Sequence, residues 1–206
     1  MASATHPHNA SLGQDQLALV PAAPSLLELQ EEQVEWNVLD ATGTKPSPRG
    51  GHCVHLVRTT LYVFGGCATG TGVHCHNDMH ALDTSRSDWS VVRSDGSPPH
   101  PASHVACASA GPVLAVFGGY SGSYSDQLHL FDASQHTWTR ARPAGVAPKG
   151  RQGASLTRFG SGFVLFGGSD DVQAFNDVHV LSSSGDQWTA PGARCAPQPC
   201  SLPTPR

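Results

Sequence analysis

Short apolar runs recur along the chain, each closed by a pair of glycines. Leu61-Tyr62-Val63-Phe64 precedes Gly65-Gly66, Leu114-Ala115-Val116-Phe117 precedes Gly118-Gly119, and Phe163-Val164-Leu165-Phe166 precedes Gly167-Gly168. Runs this short and ended by glycine predict strands buried on both faces. A second stretch, polar at its ends and apolar in the middle, follows at residues 77–83, 126–132 and 176–182 and predicts a neighbouring strand. Each holds a histidine (His80, His129, His179) nine residues before a tryptophan (Trp89, Trp138, Trp188) that opens a further strand. Punctuation by Pro, Arg and Gly at Pro48-Arg49-Gly50, Pro101-Ala102-Ser103 and Gly150-Arg151-Gln152 sets off one more strand, near residues 53–57, 105–109 and 154–158. Four short strands therefore fill each unit of about fifty residues.

Trp36, Trp89, Trp138 and Trp188 are spaced by 53, 49 and 50 residues, and the first three each stand 29 residues before a double glycine. A fixed period of this length marks a stacked repeat. The joint pattern Pro-Arg-x-Gly, apolar run, Gly-Gly, Asn-Asp, Trp resembles the kelch repeat over residues 36–188. The middle unit departs most, with Ala102 in place of arginine and Gln127 in place of aspartate. The resemblance implies an all-β fold of kelch-type β-propeller blades. It also implies that Arg49 and Arg151 are structural or channel-lining groups hydrogen-bonding between blades, with gripping of a partner's carboxylate as the other role open to a guanidinium.

Three four-stranded antiparallel blades are expected, near residues 48–93, 101–142 and 150–190, within a repeat domain of residues 34–190. Trp36-Asn37-Val38-Leu39 reads as one N-terminal outer strand lacking the rest of its blade, which makes the propeller open or partial. The chain reads first as a fragment or truncated product. A ring completed by self-association or by a partner, and a stable open array, are the other readings, because uncovered blade faces would expose apolar surface. Residues 1–33 read as a flexible leader. The Ser25-Leu26-Leu27-Glu28 capping pattern predicts a short helix running to about Glu35. Residues 191–206, with five prolines, read as a disordered tail.

Composition narrows the function classes. The net charge is −4 and only 14% of residues are charged, which argues against a nucleic-acid or anionic-membrane surface. No apolar run approaches a membrane span, and neither a secretory nor a mitochondrial leader is evident. The expected location is the cytoplasm or the nucleus, where the six cysteines would stay as thiols.

Length varies between the units only in the loop from second to third strand: residues 67–76, 120–125 and 169–175. Fixed strands carrying variable loops suggest a binding face. Tyr120, Tyr124 and Phe175 are its large side chains, and Asp170 and Asp171 add negative charge. Tyrosine offers contact area at low entropic cost. These five residues, with Arg49 and Arg151, form the candidate protein-binding set.

Metal chemistry was weighed at two places. His80, His129 and His179 repeat at one position per unit, so they read as buried strand histidines rather than a converging triad. Cys67, His74, Cys75 and His76 share a loop but lack the spacing of a zinc site. No nucleophile elbow, phosphate loop or dinucleotide fingerprint is present. The expectation is a protein-interaction module or scaffold with no cofactor, no metal and no catalysis. A metal-dependent kelch enzyme and a truncated product without independent function are the alternatives.

Overall fold

The computed structural model describes residues 35–68 and 74–191, so the expected leader helix, save its last residue, and the expected tail, save its first, lie outside it. Among the described residues every regular element is a strand. Three sheets follow one another along the chain. The first holds β2 (Cys53–Val57), β3 (Thr60–Phe64), β6 (Met79–Asp83) and β7 (Asp88–Val91) as an antiparallel meander. The second holds β9 (Ala106–Ala110), β10 (Val113–Phe117), β11 (Leu128–Asp132) and β12 (Thr137–Ala141) in the same order. The third holds β14 (Ser155–Phe159), β15 (Gly162–Phe166), β16 (Val178–Leu181) and β17 (Gln187–Thr189). None of the sheets closes on itself, and the arrangement is a partial propeller of three blades.

Each blade carries a fifth strand that the sequence did not announce. β1 (Thr42–Gly43), β8 (Asp95–Gly96) and β13 (Ala144–Gly145) run parallel to β7, β12 and β17 on the outer edge of their sheets. The expected outer strand at residues 36–39 is therefore corrected. The N-terminal pairing falls a few residues later, where Thr42 N–H donates to Ser87 O and Thr44 N–H to Trp89 O. Residues 36–39 form no strand, and a strand exists only where an edge supplies its ladder partners. Glycine at the second position of each short strand has a steric cause. A Cβ on Gly96 would sit 2.0 Å from the Trp138 carbonyl oxygen, at a φ of +89°.

The cores lie between the blades. Tyr62, Phe64, Met79 and Ala81 of blade 1 pack on Leu114, Val116, Phe131 and Trp138 of blade 2. The other side of blade 2, with Ala115, Phe117 and Leu128, packs on Phe163, Leu165, Leu181 and Trp188 of blade 3. Alternate residues of β10 thus serve two different cores, which is why its sequence is apolar without a break. One aromatic contact repeats at each joint: Phe64 meets Trp138 with ring centroids 4.8 Å apart, and Phe117 meets Trp188 at 5.7 Å. Burying such rings stabilises each joint by roughly 2–3 kcal/mol per side chain.

Backbone hydrogen bonds tie the same joints. Gly66 N–H donates to Ala102 O and Gly119 N–H to Arg151 O, both at 2.9 Å. The glycine pair lets one blade's backbone approach the next this closely; a Cβ on Gly118 would lie 2.5 Å from the Arg151 carbonyl oxygen. The cysteines depart from expectation. Cys53 and Cys107 form a disulfide between the innermost strands of blades 1 and 2, and Cys67 forms one with Cys75. The repeat itself explains the first pair, since residues one unit apart on adjacent inner strands stand side by side, with Cα atoms 6.3 Å apart. In the second, β4 (Cys67–Ala68) and β5 (His74–Cys75) form a small ladder that places the two cysteines opposite each other.

Candidate functional site

Strand direction alternates within a blade, so the second-to-third loops share one face with the connections between blades. In blade 2 this loop is pinned by Tyr120, whose backbone bridges both Ser103 and Tyr124. The tyrosine rings sit 4.9 Å apart, with Tyr120 37% exposed. The Tyr124 hydroxyl reaches across to blade 3 and donates to Asp171 Oδ1 at 2.7 Å. That hydrogen bond, assisted by desolvation and the neighbouring acidic charge, pushes the Tyr124 hydroxyl up to about 12. It therefore stays protonated and keeps donating.

Asp170, beside it, accepts from the backbone N–H groups of Val172 and Gln173, both at 2.8 Å. Those two donors hold its carboxyl below the usual carboxylate range. Asp170 thus shapes its own loop, while Asp171 makes the cross-blade contact. Tyr120, Tyr124, Asp170 and Asp171 are brought into one neighbourhood at the blade 2–blade 3 joint. A cleft of about 440 Å³ lies on the other side of Tyr120, between the Cys67–Cys75 ladder and the blade 2 loop.

Arg49, Arg151 and Phe175 are placed differently. Arg151 is 1% exposed, and its guanidinium makes four hydrogen bonds. Nη1 donates to Gly167 O at 2.9 Å, Nε to Lys149 O at 3.0 Å, and the two Nη groups to Asp177 at 2.5 and 2.9 Å. The Phe175 ring covers it, 3.9 Å from ring centroid to the guanidinium carbon. Arg49 repeats the pattern with Ser47 O, Gly65 O and Asp78. Both arginines bond within their own blades. Burial pushes the Asp78 carboxyl up, but Arg49 and His80 together outweigh it and hold the group at about 2.

The three strand histidines are buried and occupy one position per blade. In each, Nδ1 meets the carbonyl oxygen at the end of the fifth-strand connection (Thr44, Ser97, Val146), and Nε2 meets Asp78, Gln127 or Asp177. They fasten the outer strand to its sheet. A different trio approaches metal-ligand spacing: Cys53, His55 and Cys107 bring ligand atoms within 4.8 Å of one another. The two sulfurs are bonded together, so neither is a thiolate ligand in this state.

The sequence pointed to the loop tyrosines and missed the partnership of Tyr124 with Asp171, because no spacing rule links residues 47 positions apart. It also gave no role to the departures at positions 102 and 127. There the structure opens a cavity of about 410 Å³ lined by both residues.

Comparison with known proteins places the chain. Residues 18–204 match the KLHDC2/KLHL20/DRC7 Kelch-repeats domain. The chain is 34% identical over 158 residues to acyl-CoA-binding domain-containing protein 5 of Arabidopsis thaliana, covering 75% of this chain and 24% of that protein. It is 35% identical over 162 residues to the flagellar outer-arm dynein alpha chain of Chlamydomonas reinhardtii, covering 74% of this chain and 4% of that one. Kelch domain-containing protein 3 of Bos taurus is 28% identical over 162 residues, covering 70% of this chain and 42% of that protein. The chain thus spans less than half the length of each of these relatives.

Proposed function

This chain belongs to the kelch-repeat family, and from that premise we propose that it binds a protein partner through the loop face at the joint of blades 2 and 3. The family is typically a non-enzymatic interaction fold, and kelch repeats support a protein-interaction module in general. The observation that carries the choice of face is the Tyr124–Asp171 hydrogen bond. It fixes two loops of different blades into one surface holding an exposed Tyr120, a half-buried Tyr124 and two carboxylates. A preorganised aromatic patch loses little entropy on binding. In this reading Arg151, covered by Phe175, supports the blade 3 loop from below, Arg49 belongs to the frame of blade 1, and neither grips the partner.

The test is capture of partners from a lysate with the wild-type chain and with Tyr120→Ala/Tyr124→Ala. The double substitution is expected to lose the captured protein while the thermal melt stays cooperative. Undiminished capture, with the loops of all three blades also exchanged, refutes the reading.

A second reading rests on a separate observation. Phe64 and Phe117 are buried under the tryptophan of the next blade, whereas Phe166, their counterpart in blade 3, is 42% exposed. We propose that this outer face takes part in self-association. Light scattering is expected to show concentration-dependent association that Phe166→Glu abolishes; a monomer at every concentration excludes it.

A further inference from the structure

Blades 1 and 3 each bury an arginine in a socket of their own making. The socket supplies three acceptors: the carbonyl two residues before the arginine (Ser47, Lys149), the carbonyl of the first glycine of the pair (Gly65, Gly167), and an aspartate (Asp78, Asp177). The residue at the arginine position also accepts, through its main chain, from the preceding blade. Gly66 N–H donates to Ala102 O just as Gly119 N–H donates to Arg151 O. Ala102 therefore occupies the arginine position of blade 2.

The backbone of that socket is kept. Gly118 N–H donates to Gln127 O, as Gly65 N–H does to Asp78 O and Gly167 N–H to Asp177 O. The Gln127 side-chain oxygen meets His129 Nε2 at 3.2 Å, where the aspartates of the other blades meet His80 and His179 at 3.0 Å. The arginine is gone and its aspartate is replaced by the neutral Gln127, and the arginine's place is a cavity of about 410 Å³ lined by Ala102, Gly118, Tyr124, Asp126, Gln127 and His129.

We infer that this cavity is a receptor for a guanidinium group, and that its occupant is an arginine side chain of a protein partner. The ligand chemistry follows from what remains. By the register of the repeat, the carbonyls of His100 and Gly118 and the Gln127 amide oxygen are the counterparts of the guanidinium acceptors in the other blades, and all three residues line the cavity, a set that matches a flat group with several N–H donors. Gln127 is neutral where an aspartate would carry charge. Asp126, lining the cavity and exposed, supplies a carboxylate at its mouth. Burial and the nearby Arg140 and His100 charges hold His129 below its ordinary value, which limits competition from an imidazolium. Tyr124, which lines the same cavity, belongs to the loop face proposed above. The inference rests on that reading and gives its surface a central anchor.

The probe is Nα-acetyl-arginine amide, compared with its citrulline counterpart, which keeps the shape and removes the charge. Titration of the full chain, followed by NMR of backbone amides, is expected to show saturable shifts at Gly118, Gly119 and Gln127 with millimolar affinity. Citrulline is expected to bind at least about tenfold more weakly, the loss appropriate to a charge-assisted contact. Ala102→Arg refills the socket with the repeat's own side chain. It is expected to abolish binding, and with Gln127→Asp added it should raise the melting temperature. Asp126→Asn, at an exposed position, tests the charge without touching the core and should weaken binding severalfold.

Equal binding of arginine and citrulline overturns the inference. So does undiminished binding by Ala102→Arg, or absence of shifts at about 50 mM probe. A captured protein that still depends on Tyr120 and Tyr124 while the arginine probe is refused leaves the loop-face reading standing and removes only the socket.

Discussion

Arg151 shows how a polar residue becomes part of a core. Its guanidinium has no access to water, yet carbonyl, carboxylate and ring surround it on every side. Removing such a partner leaves Asp177 facing an unfilled space, a change that costs about 3–5 kcal/mol when the pair is buried and less as solvent reaches it. Arg151→Met is expected to lower the urea-unfolding free energy by about 2 kcal/mol, because Asp177 is partly exposed. Acid provides a second check. Asp78 is held at about 2 in the folded chain against 3.8 as its ordinary value. A depressed carboxyl contributes stability that is present above about pH 4 and is lost as pH falls toward 2. Solvent screening of this half-exposed group reduces the effect to about 1 kcal/mol. The fall in stability between pH 4 and 2 should therefore shrink in Asp78→Asn, measured by urea unfolding across that range. At this scale the sequence was partly legible. The histidines recur in register in all three blades, so their structural role could be read from repetition, whereas that of Arg49 and Arg151 was implied by the family resemblance. The Tyr124–Asp171 bond and the empty arginine place could not, since both depend on which blades lie next to each other and on what a missing side chain leaves behind.

Strands were the most legible elements. The apolar runs before each double glycine became β3, β10 and β15, and β10 is apolar throughout because blade 2 packs against a blade on each side. The fifth strands escaped notice because two residues such as Asp95-Gly96 carry no periodicity. Their position depends on the fit of a glycine against a tryptophan carbonyl. Gly96→Ala forces a Cβ into that oxygen at positive φ. It is expected to cost about 2 kcal/mol and to release the protection of the Ser97 amide against hydrogen exchange. The disulfide pairing was likewise hidden, since separation along the chain says nothing of lateral neighbours until the blades are stacked. Cys107→Ser opens a link spanning 54 residues and should destabilise the chain by about 2–4 kcal/mol, read as a urea midpoint below that of the oxidised wild type.

At the scale of the molecule, three sheets stack through two cores, and each joint is built from one blade's phenylalanine and the next blade's tryptophan. That arrangement fixes the loop face: a connection can vary in length without disturbing either core, because both cores are built from residues of the strands. The binding proposal depends on this division between a constant frame and a changeable surface. The measurement that tests it most directly is photo-cross-linking from two positions of the full chain in a lysate. One photoreactive side chain replaces Ser123, exposed on the loop face beside Tyr124. The other replaces Ser134, in the turn between β11 and β12 on the opposite face. The account predicts a discrete cross-linked protein from position 123 and none from position 134. The same product from both positions, or a product from position 134 alone, contradicts it.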